Sequence, residues 1–298
     1  MTAPRPDLLP SLAVVVAGVL WGLFWMPFRA LGEAGFEGGW ASLAFYLGST
    51  LLLLPAALIR WRRLCSAGWS LFFTGAIAGA AFSLYATALL LTEVVRVLLL
   101  FYLTPVWGTL LGRLLLGERI TPNRGVALAL GLAGLVVILG FESGFPLPRN
   151  AGDWMALIAG VAWAYGSLRI YSRPHIKVYE TGFAFFAGGT VVTAAVALLP
   201  IAGNEIIPTW NALQLGWPWL ALLMALFGVP PVVMALWGAS CLSPGRVGIL
   251  LMGEVVVGVT SAAAWSGEPF GLREAVGTML IVGAAVIETV HRPAIASG

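Results

Sequence analysis

Runs of about twenty apolar residues, broken by short stretches carrying charge, proline or glycine, recur along the whole 298-residue chain. A helix needs about 20 such residues to cross the ~30 Å hydrocarbon core of a bilayer. The runs fall near residues 11–31, 40–59, 69–90, 95–116, 123–140, 154–172, 180–201, 218–240, 246–265 and 273–290. Ten spans of that length take about 200 residues, which leaves short loops and no separate soluble domain. An open strand in lipid leaves backbone groups unpaired at high cost, so the spans are predicted to be helices. Composition agrees: 10% of residues are charged, against roughly 25% in soluble domains. Mean hydropathy is +0.95, and Lys177 is the sole lysine. Pro27, Pro55, Pro105, Pro230 and Pro231 fall inside apolar runs, where they predict kinks within spans rather than helix ends.

The charges set an orientation. With the N-terminus inside, Arg5, Arg60, Arg62, Arg63, Arg113, Arg119, Arg124, Arg169, Arg173, Lys177, Arg246 and Arg292 lie inside. Arg29, Arg96, Arg149 and Arg273 lie outside. Twelve against four is the bias of a cytoplasmic N-terminus, and an even number of spans returns the C-terminus to the same side. An error of one early helix would invert every later loop and destroy the separation.

The chain also repeats itself. Gly18-Val-Leu-Trp21-Gly22 in the first span matches Gly160-Val-Ala-Trp163-Ala164 in the sixth. Phe45, Gly48 and Thr50 match Phe185, Gly188 and Thr190. Arg96-Val97 and Leu100 match Arg246-Val247 and Leu250, Gly117-Glu118 matches Gly267-Glu268, and Gly125 and Gly131 match Gly277 and Gly283. The order is kept, which divides the chain into units 1–146 and 147–298. Each unit has five helices, an odd number, so the two must sit upside down relative to each other. The expected fold is all-α integral membrane, with ten transmembrane helices as two inverted five-helix repeats. Inverted repeats place a solute site at their interface near mid-membrane.

Several classes are disfavoured. Cys65 and Cys241 lie in or beside apolar runs and read as small buried hydrophobes. Two cysteines at that spacing make neither a disulfide framework nor a metal site. His175 and His291 lie in loops without a partner acid or cysteine at ligand spacing, so no metal or other cofactor is expected. No nucleophile elbow or phosphate loop appears, so no catalytic residue is expected and an embedded enzyme is the most distant reading. A scattered net charge of +3 does not suggest nucleic acid. The first apolar run extends beyond the length of a signal-peptide core, so a cleavable signal is not expected. The expected partners are the lipid bilayer and a small-molecule substrate, with the chain a monomer or weak dimer.

At this point the sequence resembles the EamA-type, ten-helix branch of the drug/metabolite transporter superfamily. The marks are Gly18-x-x-Trp21-Gly22, Thr104-Pro105 followed by Gly117-Glu118-Arg119-Ile120-Thr121, and the ladder Gly125, Gly131, Gly134. The second half repeats these as Gly253-Glu254-Val255 and Gly267-Glu268-Pro269. Two departures stand out: Val255 replaces a frequent proline, so no proline kink is expected there, and an arginine common in the second span is absent near Tyr46. The resemblance covers almost the whole chain. It implies a cavity lined by spans 1, 3, 4, 6, 8 and 9, with 5 and 10 peripheral. The aromatic content looks like that of aromatic amino-acid exporters of bacterial inner membranes.

The candidate substrate-binding residues are Trp21, Phe82, Tyr85, Tyr102, Trp163 and Met252. Trp21 and Trp163 are repeat mates near mid-span, where an aromatic gate competes with simple packing. Phe82, Tyr85 and Tyr102 offer a stacking surface, and a buried Tyr102 hydroxyl needs a partner. Met252 is the repeat mate of Tyr102 and suits either an adaptable pocket or filler packing. Glu254 is the acid clearly inside a span, a possible site for a proton or an amine, with a structural helix-to-helix bond as the alternative. Gly22, Gly108, Gly112 and Pro105 are read as packing or hinge positions. Arg96 and Arg246 read as helix-end residues, with capture of a substrate carboxylate as the alternative. Glu118 and Glu268 are expected to pair with arginine or backbone amides. Trp69, Trp217, Trp219 and Trp265 read as interfacial anchors. These features favour export of aromatic or neutral amino acids, or related amphipathic metabolites, by alternating access. Proton-coupled multidrug efflux stands as the alternative, although residues 11–32 of the first span hold no acid.

Overall fold

The computed structural model describes residues 8–36, 39–92, 94–139, 148–172, 178–198, 207–266 and 270–290. The described residues form helices grouped into ten rods, matching the expected spans to within a few residues in nine cases. The first rod is α1 (Leu8–Gly22) with α2 (Trp25–Glu33), the second α3 (Gly39–Ile59), and the short α4 (Trp61–Ala67) links it to the third, α5 (Trp69–Leu91). The fourth is α6 (Val94–Phe101) with α7 (Thr104–Leu116), and the fifth is α8 (Pro122–Leu139). The sixth is α9 (Ala151–Tyr171) and the seventh α10 (Val178–Ala197). The eighth joins α11 (Trp210–Leu222) through a π-helical turn (Leu223–Gly228) to α12 (Val229–Cys241). The ninth is α13 (Pro244–Leu251) with α14 (Gly253–Ser266), and the tenth is α15 (Leu272–Val290). The eighth begins well before its expected start at 218, because the loop-like Trp210–Gly216 stretch is helical.

Seven rods are long and apolar enough to cross a membrane, and α8 is a shorter apolar helix. The α9 and α15 rods fall outside that group. Eleven residues of α9, Asp153 among them, are buried against other helices. The unit boundary at 146/147, and Lys177, His175, His291 and the Gly267-Glu268-Pro269 stretch, lie outside or partly outside the described residues.

The two halves are antiparallel. Thr50 and Thr190, repeat mates, share a hydrogen bond of 3.0 Å, while Arg60 at the end of α3 meets Glu180 at the start of α10. The number rises along α3 as it falls along α10. The rings obey the same two-fold: Phe45 packs on Phe186 and Tyr46 on Phe185, at centroid distances of 6.1 and 6.2 Å. Such reciprocal contacts are what a two-fold axis produces. One end of the bundle brings together Ser11 with Arg246, Ser70 with Arg169, and Arg124 with Glu118, Ser243 and Glu288. The other brings together Thr92, Arg96 and Asp153, and Arg273 with the Val137 carbonyl. Arg96 and Arg246, at matching positions of the repeat, therefore occupy opposite faces.

Close helix approach depends on glycine. A Cβ added at Gly79 would lie 1.9 Å from the Phe185 carbonyl oxygen, and one at Gly75 would lie 2.4 Å from that of Thr181. Any side chain there drives α5 from α10. Gly108 does the same for α7 against Pro244 and Gly245 of α13. Gly112 does not pack a helix; its missing Cβ makes room for the Glu118 carboxyl.

Three of the five expected prolines restart helices inside spans, whereas Pro55 lies within the unbroken α3. Pro105 lies in the first turn of α7 and Pro230 and Pro231 in that of α12. Two consecutive residues without an N–H deprive the carbonyls one turn earlier of partners, and the wider π turn sits at that place. The ninth rod breaks at Met252, ahead of Val255 and without proline. Gly253, which starts α14, is a weak helix former and supplies the break. Cys65 and Cys241 are exposed rather than buried. In a membrane chain an apolar run marks the lipid-facing surface as well as the core, so an apolar neighbourhood in sequence does not imply burial.

Candidate functional site

Spans 4 and 9 break at Tyr102 and Met252, positions that match in the repeat. The breaks sit beside a small hollow lined by Phe82 of α5, Phe101, Tyr102 and Thr104 at the α6–α7 junction, Trp163 of α9, and Gly248, Leu251 and Glu254 of α13 and α14. Its free volume is ≈ 10 Å³, about room for one water. Phe82 is the hub of its wall. The Trp163 ring meets it edge-on at 5.0 Å, Trp21 lies at 4.9 Å and Phe101 at 6.0 Å. Tyr85 packs on Phe101 at 4.5 Å behind that wall.

Three polar atoms matter here. Trp163 is 1% exposed and Tyr102 2%, and neither the indole Nε1 nor the hydroxyl has a hydrogen-bond partner of good geometry. The Tyr102 hydroxyl lies beside the Glu254 carboxyl. Buried donors without partners are rare and call for an explanation.

The rods around the hollow pack asymmetrically. At the end carrying Arg246, α7 and α13 pack tightly, with Gly248 against Pro105 and Gly245 against Thr109. Their repeat mates at the opposite end, α6 and α14, share no comparable interface among the described residues. The Arg246 end is also tied by Arg60 to Glu180 at 3.0 Å and by Arg124, which reaches both Glu118 and Ser243. The repeat places Trp40, Pro200 and Val276 where Glu180, Arg60 and Arg124 have their mates, so these ties have no charged counterpart.

The sequence of residues 8–140 matches the model of the EamA-like transporter family. That likeness, with the apolar helices long enough to cross a membrane, supports a membrane-spanning helical transporter of small molecules. No curated protein matches the sequence. A crystal structure titled only as that of a protein superposes with TM-score 0.72 at 20% identity, covering 94% of this chain and 95% of its own, which establishes a shared fold.

On this EamA-like frame, the structure brings Phe82, Tyr102, Trp163 and Glu254 together, with Trp21 and Tyr85 packed just behind. Met252 is elsewhere: fully buried, its sulfur faces Gly131 of α8, near Ala284. Gly22 faces the Glu254 carbonyl and Val257, holding α1 close to α14. Arg96 is no substrate clamp. It is buried and held by Asp153, with Nη2 to Oδ2 at 2.6 Å and Nε to both carboxylate oxygens at 3.1 and 3.2 Å. Arg246 reaches the Ser11 hydroxyl at 3.0 Å. Ser11 and Asp153 are separated by the repeat offset of Trp21 and Trp163, so both arginines tie corresponding rods. Glu118 pairs with Arg124 at 3.2 Å as expected. Trp69, Trp217, Trp219 and Trp265 are exposed near rod ends or breaks. Sequence reasoning missed Phe101, Thr104, Gly248 and Leu251 in the lining; the matching breaks at Tyr102 and Met252 are the signal that would have pointed to the first two.

Proposed function

We propose that the chain carries small amphipathic metabolites, aromatic and neutral amino acids first among them, out of the cell by alternating access at the aromatic hollow. The observation that carries this reading is a set of buried, unpartnered polar atoms inside an aromatic wall, at the matching breaks of two inverted rods. A solute that fits its apolar body against Phe82 and Trp163 supplies the missing partners. The hollow has room for about one water, so loading requires the rods to part. The asymmetry favours opening at the Arg96 end, where α6 and α14 are not locked together. Opening there would release the solute outside; reclosing that end and releasing α7 from α13 would open the hollow to the cytoplasm for loading. With the arginine-rich face cytoplasmic, the protein sits in the inner membrane with both termini inside, as a monomer or weak dimer.

Flux of labelled phenylalanine and tryptophan in proteoliposomes tests this reading. Trp163→Ala is expected to lower the rate at least tenfold with normal insertion; unchanged flux removes the hollow from the transport path. Proton-coupled efflux of drugs is the second reading, favoured by the Glu254 carboxyl in the wall. It requires that an imposed pH gradient drive uphill transport.

A further inference from the structure

We propose that Glu254 anchors the ammonium group of the transported solute, so that the site selects a protonated amine and treats a carboxylate as dispensable. The inference rests on the hollow being the transport site. Burial of an acid is handled consistently elsewhere in this protein. Asp153, Glu180 and Glu288 are buried, and each has an arginine: Arg96 at 2.6 Å, Arg60 at 3.0 Å and Arg124 at 3.4 Å. Glu254 is half-buried, in the wall of the hollow beside the Tyr102 hydroxyl, and among the described residues no Arg, Lys or His comes within ion-pair distance of it. None of the residues lining the hollow is cationic, so its one ionisable acid faces a wall without positive charge.

The rest of the wall suits a cation as well. Phe82, Phe101, Tyr102 and Trp163 line the hollow together with Glu254, and the negative faces of aromatic rings attract ammonium groups. An ammonium placed between Glu254 and these rings meets an opposite charge and π faces together. A free carboxylate in the same place would meet Glu254 as a like charge with no cation to offset it. Nε1 of Trp163 is a donor poorly matched to an ammonium and is open to a hydroxyl or carbonyl of the solute, while the Tyr102 hydroxyl lies beside the Glu254 carboxyl.

The test uses four probes with one aromatic body and different charge: phenethylammonium, phenylalanine, phenylpropionate and benzyl alcohol. Binding to the detergent-solubilised full chain is read as stabilisation against heat, since a ligand of the native state raises apparent stability. Phenethylammonium and phenylalanine are expected to bind, and phenylpropionate and benzyl alcohol at least tenfold more weakly. Glu254→Gln should cost phenethylammonium at least tenfold, while Glu254→Asp keeps the order of the probes. Phenylpropionate binding as tightly as phenethylammonium, or unchanged binding in Glu254→Gln, overturns the ammonium anchor and leaves the hollow as the transport site. If no probe binds the native chain and phenylalanine flux is also absent, both readings fall. The four-probe comparison on the unmodified chain decides the point even if Glu254→Gln does not fold.

Discussion

Asp153→Ala lowers stability by about 3–5 kcal/mol, because it leaves the Arg96 guanidinium charged and unpaired where almost no solvent reaches. Asp153 is 0% exposed and Arg96 4%. The carboxylate also accepts from the Thr92 hydroxyl at 3.0 Å and from the Arg149 amide at 2.8 Å, and Asn150 caps the Asp153 amide at 2.9 Å. Removing the carboxylate therefore breaks a network that joins the end of α5, the start of α6 and the start of α9. The double variant Arg96→Leu, Asp153→Leu should recover most of the loss, since no buried charge remains. Denaturation of the two single variants and the double in one detergent measures the coupling. An Asp153→Ala protein as stable as the parent would show that the pair is solvated in the folded protein.

Gly79→Leu is expected to have an effect of similar size by a different route. Its Cβ would have to occupy space 1.9 Å from the Phe185 carbonyl oxygen, and the neighbouring Gly189 amide is 3.0 Å away. The obstacle is backbone, which cannot rotate aside as a side chain tip can. Overpacking typically costs about 1–3 kcal/mol even where neighbours adjust, so separation of α5 from α10 is expected. Size-exclusion profile and heat stability after extraction report it. Gly125, whose Cβ would meet nothing within 4 Å, serves as the tolerant control in the same experiment.

Much of the fold was legible because a bilayer imposes length. Most span limits read from apolar runs agree with the rods to within two or three residues, and the repeat mates Thr50 and Thr190 meet in the structure. Pairings between distant residues were not legible. Asp153 lies 57 residues from Arg96 and Glu180 lies 120 from Arg60, and only the folded chain brings each pair together. The start of the eighth rod was misplaced because Asn211, Gln214 and Pro218 interrupt an apolar pattern that is helical nonetheless.

At the site, the repeat helped and misled. It correctly marked Tyr102 and Met252 as corresponding positions, and both sit at helix breaks. It also suggested that both face the solute. The two halves are not in the same packing state, however, and Met252 is directed at α8 while Tyr102 faces the hollow. A sequence repeat reports the common ancestor of two shapes; it does not report which of two alternative packings each half occupies.

The central claim is that two antiparallel halves enclose the hollow between them. Ile120 and Phe270 test it directly: the repeat offset of 150 relates them, and both are exposed in short connections between helices. Each is replaced singly by cysteine in a chain whose Cys65 and Cys241 have been changed to serine, and intact cells are treated with a membrane-impermeant thiol reagent. The account predicts that the cysteine at 270 reacts and the one at 120 reacts only after the membrane is opened; equal reactivity of both from the same side would contradict it.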